Sequence, residues 1–141
     1  VVTRQVQEDG SVRISDGRSA FVFRRLRPGA LLAVGSGFDS GGLGRAPLDE
    51  VAAEAAAFPP IRLYFDLRAV TGVTTPVREE WTAWFAAHRE AVRSADFLVN
   101  SKFVELAVSV ANLFSRTGDL FRIHTDPARF EEAVVRETAA G

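Results

Sequence analysis

Pro59-Pro60 divides this chain into two stretches with different periodicities, and together the two patterns admit few folds. Consecutive prolines lack backbone donors and cannot continue a helix, so whatever precedes them ends there. Before them, Asp9-Gly10, Asp16-Gly17 and Pro28-Gly29 break short apolar and polar runs, as tight hairpin turns do. This predicts a meander of strands at about 3–7, 11–15, 19–26 and 30–35. Phe21, Phe23 and Leu26 answer Leu31, Leu32 and Val34 across the third turn. Residues 35–44 hold five glycines and two serines and read as a loop. Leu48, Val51, Ala52 and Ala55 then fall on one face of a helix that the prolines stop.

Beyond Pro60 the reading is strand, helix, strand, helix, strand, helix. Ile61, Leu63, Phe65 and Leu67 alternate with more polar neighbours, as in a strand. Thr75 followed by Pro76 starts a helix, with the hydroxyl as cap and Glu79 and Glu80 in the first turn, running to about Arg93. A strand at 96–99, a helix at 101–115, a strand at 119–124 and a helix behind Asp126-Pro127 complete the chain. Hairpins require antiparallel neighbours, and strand–helix alternation favours parallel ones. The expectation is a single α/β domain over 1–141, with a mixed sheet, N-terminal antiparallel hairpins and about four helices.

Composition removes whole classes of function. Seventeen basic against eighteen acidic residues give a net charge of -1, which cannot hold a protein on nucleic acid or an anionic bilayer by bulk electrostatics. Without cysteine there is no disulfide, thiolate nucleophile or cysteine-ligated metal. No run approaches the roughly 18 apolar residues of a membrane span, so no transmembrane segment and a cytoplasmic location are expected. Lys102 is the only lysine beside sixteen arginines, a bias that suits a GC-rich bacterial genome.

No polar set nominates catalysis, a cofactor or a metal. The glycine run carries Ser40 where a dinucleotide fingerprint needs its third glycine, and no Gly-Lys-Ser/Thr ending. His88 shares a helical stripe with Trp81, Trp84 and Phe85 and reads as a core-edge residue; His124 closes a strand and reads as a turn residue. Adjacent acids Glu79-Glu80 and Glu131-Glu132 diverge on a helix and make no acid/base dyad. Arg24, Arg25 and Arg27 read as a solvated strand end.

The helix at 101–115 is more telling. Its polar residues Lys102, Glu105, Ser109 and Asn112 occupy an arc of roughly 80 degrees and its apolar ones roughly 220. One sheet face uses a stripe of little more than 100 degrees, so Val104, Val108 and Ala111 must meet something else. They could meet a neighbouring helix of the same domain, or form a candidate interface with a protein partner or a second copy.

Several segments carry a family resemblance: Phe38-Asp39, Phe65-Asp66-Leu67 with Val70-Thr71-Gly72-Val73, Phe121-Arg122-Ile123, and Thr125-Asp126-Pro127-Ala128-Arg129-Phe130-Glu131-Glu132-Ala133. In this order they resemble the STAS domain of anti-sigma factor antagonists, and more closely the STAS-like branch grouped with sporulation anti-sigma antagonist-like proteins. The resemblance covers about 19–137 and leaves 1–18 as additional N-terminal strands. It implies a non-enzymatic regulatory or interaction module, acting by partner switching or as a scaffold or dimerisation unit. In signalling members an Asp-Ser-Ser-Gly loop carries the phosphorylated serine. Those positions here hold Thr74, Thr75, Pro76 and Val77, which leaves Thr75 a hydroxyl at the acceptor position without the acid or the glycine. The alternative is a carrier of a small apolar ligand or lipid, with Trp81, Trp84, Phe85, Phe103 and Phe114 lining a cavity.

Overall fold

The computed structural model describes residues 1–100, 102, 104–106, 108 and 120–140. Among the described residues seven strands form one sheet in sequence order: β1 (Thr3–Val6), β2 (Val12–Ser15), β3 (Ser19–Arg27), β4 (Ala30–Asp39), β5 (Ile61–Val73), β6 (Val92–Leu98) and β7 (Phe121–His124). Pairing is antiparallel from β1 to β4 and parallel from β4 to β7. The sheet is therefore mixed, and it changes sense between the strands that flank Pro59-Pro60. The N-terminal hairpin belongs to it. The helices with described bounds are α1 (Ala46–Ala57), α2 (Thr75–Ala87) and α3 (Pro127–Ala139); between β6 and β7, Lys102, Val104, Glu105, Leu106 and Val108 are also helical.

Strand alternation sorts the core onto two faces. On one, Ile14, Phe23, Ala33, Phe65 and Phe97 pack with Leu48 and Val51 of α1, Trp84 and Phe85 of α2, and Val104 and Val108. On the other, Leu26, Ala30, Tyr64 and Leu98 pack under Phe130 of α3. The register shift between Arg25 and Arg27 uses both faces. A bulge lets two successive residues leave strict alternation, so Arg25 reaches Glu54 of α1 while Arg27 reaches Glu137 of α3. Arg25 and Arg27 thus each tie the sheet to a helix, one on either face, while Arg24 and Arg25 remain exposed, as a solvated strand end would be.

Several boundaries differ from expectation. The glycine run does not begin as a loop: β4 continues through Asp39 because Gly35 and Gly37 let close neighbours pass. A Cβ on Gly35 would meet the Phe21 ring, and Gly37, at φ +81°, lies against the Arg18 carbonyl. α2 stops at Ala87 instead of Arg93, and a 3₁₀ turn at Arg89–Ala91 leads into β6. Val92, 3% exposed, pairs with Ile61 there, so burial in the sheet outweighs the local helix preference of the Ala-rich run. Glu79 and Glu80 lie beyond the first turn of α2, and Glu131 and Glu132 beyond that of α3. The dipole effect fades over that distance; Asp126, the α3 cap, accepts the Ala128 N–H instead.

Candidate functional site

The loop before α2 is short because β5 extends to Val73. Thr74 is the N-cap residue, Thr75 is the first helical residue and Pro76 follows it. The cap therefore lies one residue earlier than the sequence suggested, and its hydroxyl does not cap. Thr74 Oγ1 is buried with no hydrogen-bond partner, while the Thr74 N–H donates to the Asp39 carbonyl at 3.0 Å. Thr75 is exposed.

Behind this loop lies a cleft of about 110 Å³. α2 contributes Val77, Arg78, Trp81 and Phe85; the sheet contributes Phe21, Phe65, Phe97 and Phe121; the ends of β4 and β5 contribute Asp39, Leu67, Val70 and Val73. Its aromatic floor is braced by Phe65, which stacks on Phe97 at 4.9 Å and meets Trp81 edge-on at 5.7 Å. Trp84 is not on the wall: it packs edge-on against Phe85 and stacks on His88. His88, exposed at the end of α2, stacks its ring over buried Trp84 at the edge of the core. Phe103 and Phe114 lie outside the described residues.

Val104 and Val108 close the remaining side of the cleft, 2% and 8% exposed. Of the two alternatives for this flank, a neighbouring helix of the same domain or a partner, Val104 and Val108 take the first: they turn inward to the gap between the aromatic face of the sheet and α2. Ala111 lies outside the described residues. Among the described residues of this stretch, Leu106 is the exposed apolar one.

Asp39 is the acidic group of the cleft, 7% exposed. Its Oδ1 accepts the Gly41 N–H at 3.1 Å. Burial pushes its carboxyl above the ordinary value against the pull of that bond, and the charges of Asp16 and Glu80 push the same way. Glu80 is itself 3.9 Å from Arg45.

Two further polar groups lie under α3. Tyr64 donates to Glu137 at 2.8 Å, and Arg27 and Arg62 flank the same carboxylate. Burial raises Glu137, but the bonds from Tyr64 and Arg27 and the two arginine charges outweigh it and hold the carboxyl below its usual range. Nearby, His124 Nε2 lies 2.9 Å from Asp96 Oδ2, with the ring edge-on to Phe130. His124 is thus a strand residue tied to a buried carboxylate and not a turn residue. That partnership depends on the β6–β7 register, which pairs Leu98 with His124 and sets Asp96 two residues back. Among the described residues no three histidine or carboxylate side chains gather as a metal site, and no helix is long and apolar enough to cross a membrane.

No protein-family model and no curated protein matches the chain. Its fold is similar to that of an uncharacterised DUF3478-family protein with a SpoIIAA-like fold from Shewanella loihica PV-4, at a TM-score of 0.58 and 18% identity over 83% of this chain and 94% of that one. It is also similar to an anti-sigma factor antagonist from Mycobacterium paratuberculosis, at a TM-score of 0.60 and 16% identity over 86% and 97% of the respective chains. The fold is STAS-like, as the order of the sequence motifs suggested. Both solved neighbours are bacterial.

Proposed function

We propose that this protein is a non-enzymatic regulatory module that works by binding a protein partner, with the exposed start of α2 as its docking point and Thr75 as the residue that gates it. The observation that carries this reading is the division of labour between two threonines. Thr74 holds the loop by its backbone and takes the cap position, so Thr75, exposed at the first helical position, has no structural task there. A side chain without a structural task, on the loop that carries the acceptor in STAS signalling proteins, is available for modification. A phosphate there would add up to two charges beside the free N–H groups of a helix N-terminus, although Pro76 removes one donor.

The test is phosphopeptide mapping of the protein from its native host, combined with affinity measurements on any partner that co-purifies. A partner held equally by wild type and Thr75→Val, and released at least tenfold by Thr75→Glu, is the expected result; tenfold corresponds to about 1.4 kcal/mol. Equal retention by all three forms would reject gating at Thr75 and leave a constitutive scaffold or a homodimer, which native mass spectrometry separates.

A further inference from the structure

We propose that the cleft behind α2 is a binding site for a small apolar amine: a ring-sized hydrocarbon body seated on Phe65, Trp81 and Phe97, with an ammonium head directed to Asp39. Size is the first argument. A cleft of about 110 Å³ is close to the cavity of roughly 150 Å³ that holds benzene in a protein core, and is far below the roughly 300–1,000 Å³ of sites for drug-sized molecules. It takes one ring or a short branched chain, not a lipid with its acyl tails.

Polarity is the second argument. Among the described residues the floor and walls are aromatic and aliphatic, and the exceptions are few: Ser36, Gly37, Asp39 and Arg78. Asp39 sets the chemistry of the head group. A carboxylate has room for about four hydrogen bonds, yet among the described residues Asp39 receives one side-chain bond, from Gly41. A buried carboxylate short of donors is costly unless a cation or further donors reach it. Asp16 and Glu80 act on it as like charges, so an anion set beside the Asp39 carboxylate itself meets like charge, with Arg78 the one cation on the described lining. Arg78 forms no ion pair with Asp39 among the described residues, and Arg45 is engaged with Asp49 and Glu80. An ammonium group on the ligand supplies what the protein leaves out.

This inference is independent of partner binding and is tested on the full chain with three probes of one shape and different heads: benzylamine, benzyl alcohol and benzoate. For ligands of this size, affinities of about millimolar are expected. Two-dimensional NMR titration should give saturable shifts at Asp39, Val77 and Trp81, with benzylamine binding at least tenfold tighter than benzoate. Asp39→Asn should abolish the preference between the two heads while the ring still binds, and Val108→Phe, which fills the cleft, should abolish all three. Absence of saturable shifts at these residues in the wild type, or benzoate binding as tightly as benzylamine, would overturn the proposal. The wild-type titration decides even if Val108→Phe does not fold.

Discussion

The Thr74 N–H donates to the Asp39 carbonyl at 3.0 Å, so the loop before α2 is fastened to the end of β4 by backbone and not by the threonine side chain. The hydroxyl of the same residue is buried without a partner. Thr74→Val, nearly the same shape, should therefore stabilise the protein by about 1 kcal/mol, since an unsatisfied buried hydroxyl costs about 1–3 kcal/mol. A working cap would give the opposite sign, a loss of about 1 kcal/mol. Denaturant midpoints at unchanged slope read the sign directly.

Thr75→Ala should leave stability within about 0.5 kcal/mol of wild type, because the side chain is exposed and does not cap. Thr75→Glu should be tolerated equally, a carboxylate at a helix N-terminus being mildly favourable. Thermal melts of both variants check this. A loss near 1 kcal/mol in Thr75→Ala would return the capping role to this residue.

Val104→Glu should unfold the protein or cost about 3–5 kcal/mol, since Val104 is 2% exposed and, among the described residues, Arg78 is the one cation on the cleft wall. Leu106→Glu, two residues away and 63% exposed, should change stability by less than about 0.5 kcal/mol. Chemical denaturation of the pair separates an inward flank from a partner surface. Similar, small effects in both would return Val104 to the surface.

Glu137 links α3 to the sheet through Tyr64 and Arg27. Its folded pKa lies below the ordinary glutamate value of 4.5, so its contribution is present above that value and is lost as pH falls through the folded pKa. Glu137→Gln should be destabilised at pH 7, and its deficit relative to wild type should narrow from about pH 4.5 downward. Denaturation at a series of pH values gives the curve. A deficit that widens on acidification would contradict the assignment.

Gly37 sits at φ +81°, and a Cβ there would fall 2.1 Å from the Arg18 carbonyl oxygen, which is backbone and cannot move aside cheaply. Gly37→Ala should cost more than the roughly 1–2 kcal/mol of the left-handed conformation alone. Gly10→Ala, at φ +86° but with open space around it, should cost only that amount. The difference between the two variants in urea denaturation measures the close approach.

Much of the architecture was legible in local sequence. Turn dipeptides at 9–10, 16–17 and 28–29, alternation in 61–67 and the proline pair determine which segments extend and where the sense of pairing must change, because turn chemistry and side-chain period act over a few residues. The same is true of the order of motifs that resembles a STAS-like domain. Tertiary structure decided what local pattern leaves open. Which face an arginine serves depended on a bulge. That Val104 and Val108 turn inward depended on the gap left between α2 and the sheet. The end of α2 was set by the partner waiting for Val92, and the pairing of Asp96 with His124, like the seclusion of Asp39, arose from strand register. Each of these is a competition between a local preference of about 1 kcal/mol or less per residue and the burial of a whole side chain at about 1.5–3 kcal/mol. Only the assembled fold determines which side chains are buried.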